Sequence, residues 1–260
     1  MYDFNGKVTL ITGASSGIGA ATAVLFARLG ANLVLTGRNK VNLQRTWDEC
    51  VRVRPSDAEQ PLLVIADMYS EKDVARIVDT TVKKFSRVDI LVNNAGVYEM
   101  GSIDTTSLEQ YDRVMNINVR ATYQLTMLCV PHLTATRGNI VNVSSVNGTC
   151  SFPGDLAYSL SKAAMDQMTR CTALELAPKG VRVNSVNPGV IVTEIHKRAG
   201  MSDDEYAKFL EDSKTAHPLG RVGDAEEVAQ AIAFLASSNA SFITGELLHI
   251  DGGRHAACLR

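Results

Sequence analysis

Short runs of aliphatic and β-branched residues recur along the chain, each followed by a longer stretch whose apolar positions return every three or four residues. The short runs fall at 7–12 (KVTLIT), 32–36 (NLVLT), 62–66, 89–93, 140–143, 182–186 and 247–250, and they read as strands buried on both faces. The intervening stretches predict helices over about 18–28, 40–53, 71–85, 108–133, 156–177 and 224–236. Gly30 follows the first helix where a left-handed cap belongs, and Pro131 falls near the end of the fourth. Strands alternating with helices imply parallel pairing through right-handed crossovers. The expectation is therefore a single α/β domain over 1–260, a doubly wound parallel β-sheet with helices on both faces.

One segment departs from this rhythm. Between Gly189 and Gly223 no strand pattern occurs, but a charged helical piece over 202–213 opens with Ser202 and Glu205 at capping-box spacing. An insertion directly after a strand's carboxyl end reads as a lid over a site, or else as a helix packed permanently on the surface.

Composition narrows the function. The chain has 260 residues, 45% of them hydrophobic, and a net charge of −2 without a basic run, which argues against nucleic acid as a partner. Its five cysteines (Cys50, Cys129, Cys150, Cys171, Cys258) form no CxxC or Cys/His cluster, so they read as reduced residues and no metal site is expected. No apolar run reaches the roughly 18 residues of a membrane helix. The N-terminus enters a strand at once, so no cleavable signal is expected; no basic amphipathic helix occurs, so no membrane attachment is expected either, and a cytoplasmic location is.

The candidate chemistry lies at the carboxyl ends of the predicted strands, where open α/β sheets place ligands. After the first strand come Thr12-Gly13-Ala14-Ser15-Ser16-Gly17-Ile18-Gly19, whose glycines permit a tight turn and close approach of backbone N–H groups to a pyrophosphate at a helix N-terminus. The spacing is GxxxGxG, and no Lys-Ser/Thr follows to make a P-loop. After the second strand, Thr36-Gly37-Arg38-Asn39 carries an arginine where NAD sites place a carboxylate. Arg38 therefore suits the 2′-phosphate of NADP(H), or else it is a solvated surface residue. Asp67 ends the third strand, as an acceptor for an adenine amine or as a helix N-cap. Asn93-Asn94-Ala95-Gly96 ends the fourth, with small residues for close approach and amides able to tie neighbouring loops. After the fifth come Ser144 and Ser145, then Tyr158 and Lys162, one helical turn apart. An ammonium beside a phenol is expected to lower its pKa, giving an acid–base device for an oxygen.

These motifs together make the sequence resemble the short-chain dehydrogenase/reductase family, in the manner of carbonyl reductases and 3-oxoacyl carrier-protein reductases. The residues that carry the likeness are TGASSGIG at 12–19, NNAG at 93–96, INV at 117–119, SS at 144–145, YSLSK at 158–162, NPGVIVT at 187–193, and the tail HPLGRVG through FITGELLHIDGG. The resemblance implies a Rossmann-type fold and a catalytic tetrad of Asn118, Ser145, Tyr158 and Lys162. In it Tyr158 is the general acid or base, and Lys162 lowers its pKa and binds the nicotinamide ribose. Ser145 polarises the substrate oxygen, in preference to Ser144, and Asn118, in preference to Asn116, supports a proton-relay water. The implied cofactor residues are Gly13, Ser15, Ser16, Gly17, Ile18, Gly19, Arg38, Asn39, Asp67, Met68, Asn94, Ala95, Gly96, Tyr158, Lys162, Pro188, Gly189, Ile191 and Thr193. The expected function is NADP(H)-dependent interconversion of a carbonyl and a secondary alcohol by a homotetramer. The alternatives are the same reaction with NAD(H), or a cofactor-binding sensor without turnover. Val97, Tyr98, Val146, Phe152, Pro153, Ile191, Ile195 and Met201 point to a moderately apolar substrate: a steroid, an oxoacyl chain or a xenobiotic ketone. His196, Lys197 and Arg198 are either contacts for an anionic group or solvated lid residues.

Overall fold

The structure, a computed structural model, describes residues 2–257. Seven strands pair in parallel in the order β3-β2-β1-β4-β5-β6-β7. They are β1 (Val8–Thr12), β2 (Asn32–Gly37), β3 (Leu62–Ile65), β4 (Ile90–Asn93), β5 (Asn139–Val143), β6 (Arg182–Pro188) and β7 (Leu247–Ile250). Strand alternation divides the core between the two faces. Ile11, Leu35 and Val141 point into one buried cluster, while their neighbours Leu10, Val34 and Ile140 point into the other. Helices α1 (Gly17–Arg28), α2 (Lys40–Val53) and α9 (Ala225–Ala236) cover the first face. On the second lie α3 (Glu71–Phe85), α5 (Ala121–Thr136) and α6 (Leu156–Leu176). The remaining helices are α4 (Leu108–Met115), α7 (Ile195–Arg198) and α8 (Asp203–Thr215). The sheet grows outward from β1 in one direction and from β4 in the other, opening a crevice at the carboxyl ends of these strands.

Local chemistry sets most of the boundaries. Gly30 ends the first βα unit at φ +85°, a conformation that glycine adopts without strain. Ser70 caps α3 by accepting from the Asp73 N–H, so the cap is Ser70 and not Asp67. Ser202 and Glu205 form the expected capping box at the start of α8.

The helix expected over 108–133 differs in form. It is two helices joined by a π turn, Asn116–Arg120, in which the Ala121 N–H reaches back to the Asn116 carbonyl. Pro131 lies inside α5, which runs on to Thr136. The buried positions Val114, Ile117, Asn118, Ala121, Thr122 and Leu125 stay three or four apart across it, so the pattern along the sequence gives no sign of the extra residue. Its effect is to place the buried Asn118 against Val97, behind the wall of the crevice.

Candidate active site

The crevice is a cavity of about 730 Å³ that runs from the glycine-rich turn to Tyr158 and on beneath α7 and α8. At one end Gly13 and Gly17 hold positive φ (+65° and +53°), which turns the chain sharply into α1. Asn94 clamps this turn by donating through Nδ2 to the carbonyls of Thr12 and Gly13, at 2.8 and 3.2 Å. The Thr12 hydroxyl in turn accepts from the N–H groups of Asn94 and Ala95. A Cβ on Gly19 would stand 2.4 Å from both Asn94 Nδ2 and the Gly13 carbonyl oxygen, so no side chain fits there. The start of α1 has neither a side-chain cap nor an acidic residue in its first turn, which leaves its positive end open toward the cavity. Ser15, Ser16, Arg38, Asn39, Asp67, Met68, Ala95 and Gly96 line the same end. Arg38 is exposed there. The Asn39 side chain is committed to capping α2 and accepts from the Asn42 N–H. One oxygen of Asp67 accepts from the Tyr69 N–H.

At the other end, Tyr158 and Lys162 face the cavity from α6, one turn apart, beside the mouth of β5. Lys162 is buried and donates from Nζ to the Val143 carbonyl at 2.9 Å; its Nζ lies 5.5 Å from the Tyr158 ring centroid. Burial, partly offset by Asp166, presses the Lys162 pKa down to about 8. The expectation that this cation lowers the Tyr158 pKa is not met in the protein by itself. Burial pushes the Tyr158 phenol up to about 12; a hydrogen bond with Ser145 opposes the rise, and the negative charge of Asp155 adds to it.

The two serines separate cleanly. Ser145 turns to the cavity beside the phenol, donates to Asn147 Oδ1 at 3.3 Å and accepts from the Asn147 N–H at 3.1 Å. Ser144 donates to the Lys162 carbonyl at 3.3 Å, so its hydroxyl serves the packing of α6. Asn118 is fully buried, and its amide is used up within the protein. Oδ1 accepts from the Val97 N–H at 2.8 Å, and Nδ2 donates to the Val97 carbonyl and to Ser161 Oγ at 2.9 and 3.0 Å. It acts as a clamp on the segment after β4. Asn118 Oδ1 and Lys162 Nζ both border Gly96, 3.3 and 3.7 Å from where a Cβ on that residue would lie.

All eight apolar residues expected around a substrate line the cavity, together with His196 and Arg198. Lys197 instead pairs with Asp203 at 2.7 Å. Sequence reasoning missed Asp155, Asn147, Phe209 and Arg254. Asp155 accepts from the Tyr98 hydroxyl at 2.7 Å and from Asn147 Nδ2 at 2.9 Å, and Tyr98 meets Tyr158 edge-on at 5.1 Å between centroids. His196 packs against Tyr98 and Phe209, and burial lowers its pKa below the ordinary value. One signal was available for Arg254. It follows β7 directly, and the carboxyl end of every strand in a parallel sheet opens on the same side.

The 189–223 segment is anchored at its base. Val190 and Val192 exchange backbone hydrogen bonds with Gly223, at 2.9 and 3.0 Å. The buried Tyr206 hydroxyl donates to the Thr193 carbonyl at 2.7 Å and accepts from the Thr193 N–H at 3.1 Å. Ile191 is buried in that base, and Pro188, Gly189 and Thr193 line the cavity. Farther out, Arg198 donates to Ser16 Oγ at 2.7 Å, joining this segment to the glycine-rich turn.

A parallel sheet, a glycine-rich turn at its switch point and a Tyr–Lys pair at the next strand end define a Rossmann-type oxidoreductase site. Comparison with known proteins agrees. Residues 13–255 match the family described as "Enoyl-(Acyl carrier protein) reductase". The chain is 41% identical over 249 residues to the 3-oxoacyl-[acyl-carrier-protein] reductase FabG of Thermotoga maritima, covering 95% of this chain and 97% of that one. Among solved structures it superposes on a short-chain dehydrogenase/reductase of unknown function from Caenorhabditis elegans, determined with cofactor, with a TM-score of 0.91 at 38% identity, covering 98% and 97% of the two chains. Levodione reductase superposes with a TM-score of 0.93 at 31% identity, covering 98% of this chain and all (100%) of that one. The chain belongs to the short-chain dehydrogenase/reductase family and is an oxidoreductase that uses a nicotinamide cofactor. No helix among the described residues is long and apolar enough to cross a membrane, and no group of His, Cys, Asp or Glu there is arranged to hold a metal ion.

Proposed function

We propose that the protein catalyses NADP(H)-dependent interconversion of a carbonyl and a secondary alcohol, with Tyr158 as the acid or base. The observation that carries this reading is the single cavity that joins the uncapped start of α1 and Arg38 to Tyr158, Ser145 and Lys162. The residues fit a dinucleotide. Gly13, Gly17 and Gly19 form a turn too tight for any Cβ at position 19, and the open helix start favours a pyrophosphate. Arg38, with no carboxylate at the end of β2, favours a 2′-phosphate; the 3-oxoacyl reductase likeness agrees with a reductive role.

When bound, the nicotinamide supplies or accepts the hydride. In the reductive direction Ser145 Oγ and Tyr158 Oη hold the substrate oxygen, and the Tyr158 proton passes to it as negative charge develops. A phenol with a pKa of about 12 keeps that proton at neutral pH yet gives it up to a far more basic alkoxide. The Lys162 ammonium, one donor fixed on Val143, faces the resulting phenolate and steadies it until solvent returns a proton. In oxidation the same groups act in reverse. Asn118 contributes by holding the 97–98 backbone beside Tyr158.

The 189–223 segment acts as the substrate lid, hinged on the Gly223 bonds and latched by Arg198 on Ser16. The exposed apolar residues Leu108, Tyr123, Met127, Leu160 and Leu174 on α4, α5 and α6 support a homotetramer built on those helices. A cytoplasmic location agrees with the unpaired Cys50, Cys129, Cys150 and Cys171. The test is Tyr158→Phe. Reduction of a ketone panel should fall by about 10²–10⁴-fold, the usual worth of general acid catalysis, while NADPH titrated by fluorescence binds as before. Undiminished turnover would overturn the assignment.

A further inference from the structure

One wall of the cavity carries a cation that the reaction above does not use. Arg254 follows β7 in the turn Asp251-Gly252-Gly253-Arg254 and is partly buried. Its guanidinium rests on the Phe152 ring, 4.2 Å from the central carbon to the ring centroid. That contact covers one side of the guanidinium with an apolar ring. Among the described residues its side chain makes no hydrogen bond and no ion pair. Burial presses its pKa below the ordinary value, which marks a charge short of solvation.

Of the acidic groups that act on Arg254, Asp155 does so most strongly, yet both Asp155 oxygens are occupied, by Tyr98 and by Asn147. The other cations of the cavity are placed elsewhere. Lys162 is buried behind Tyr158 and bonded to the Val143 carbonyl, Arg198 is bonded to Ser16, and Arg38 stands at the end of β2 beside the glycine-rich turn. His196, its pKa lowered by burial, is neutral at pH 7. Arg254 is thus the cation on the substrate side, and Phe152, Pro153, Val146, Met201 and Phe209 line an apolar cleft with it.

We propose that the substrate is an oxo acid or hydroxy acid whose carboxylate Arg254 holds while its reacting oxygen lies at Tyr158. A planar guanidinium seated on a ring matches a planar carboxylate through two parallel N–H···O bonds. A phosphate dianion fits less well, because the negative Asp155 acts on the same wall and no second cation is there to offset it. The proposal rests on the oxidoreductase reading given above and narrows its substrate class.

The test measures kcat/KM of the wild-type enzyme for straight-chain 2-, 3-, 4- and 5-oxo acids and for the methyl ester of each. At least one acid should be preferred to its own ester about tenfold or more. Arg254→Met should lower that acid-to-ester ratio by about 10- to 100-fold, the worth of a bidentate charge-assisted pair, and Arg254→Lys should restore part of it. A wild-type ratio near unity, or a ratio that survives Arg254→Met, would overturn the proposal while leaving the oxidoreductase reading intact. If no compound turns over, that reading fails on this panel, and calorimetric titration of the matching hydroxy acids and esters into enzyme with NADP⁺ decides the rest. A carboxylate preference lost in Arg254→Met then supports the Arg254 site, and equal binding of acid and ester removes it.

Discussion

Asn118→Ala probes whether the π turn serves to place a clamp. The wild-type side chain is fully buried and makes three hydrogen bonds, two to Val97 and one to Ser161. Ser161 keeps its own bond to the Tyr158 carbonyl, at 2.7 Å, so the loss falls on Val97, whose N–H and C=O both lose their partner. An orphaned buried polar group costs about 1–3 kcal/mol, and Val97 is partly buried, so two such groups put the loss at about 2–4 kcal/mol. Against a typical stability of roughly 5–15 kcal/mol, the variant stays folded and its kinetics remain measurable. Urea unfolding followed by circular dichroism should show a lower midpoint at unchanged slope. Catalysis should fall as well, because the loosened 97–98 backbone carries Tyr98, which packs on Tyr158. An unfolding midpoint equal to wild type would refute the clamp, whatever happened to the rate.

Two further outcomes follow from the charges of the site. Arg38→Ala should weaken NADPH binding by about five- to tenfold, a charge-assisted contact discounted for exposure, and leave NADH within about twofold; equal loss of both nucleotides would withdraw the 2′-phosphate assignment. The pH profile has a definite sign. Tyr158 holds its proton up to about 12, whereas Lys162 loses its charge as pH rises through about 8, so reductive kcat/KM should be level below about 8 and decline above it. A reductive rate that climbs through pH 9 would contradict that order.

Much of the architecture could be read from the chain because its signals are local. Seven apolar runs, Gly30 beyond α1 and the Ser202–Glu205 capping box each act within a few residues, and each appears where expected. What escaped depends on burial or on distant packing. Nothing in the spacing of Tyr158 and Lys162 shows that the lysine is buried and the phenol half-buried, and desolvation is the largest influence on both pKa values. Across the π turn the buried positions stay three or four apart, so the sequence reads as one continuous helix. Asp155 and Arg254 are 99 positions apart, and only the common direction of the strand ends brings them to one wall.

The Asn94 tie has a bearing on how this site is able to change. The shape of the turn at 12–19 is held from the fourth strand, through two bonds to carbonyls of the first strand and its turn. A bulkier residue at 13 or 19 therefore collides with a neighbouring strand before it meets any nucleotide. Redesign of the glycine-rich turn has to start at position 94, and the two strand ends change only together.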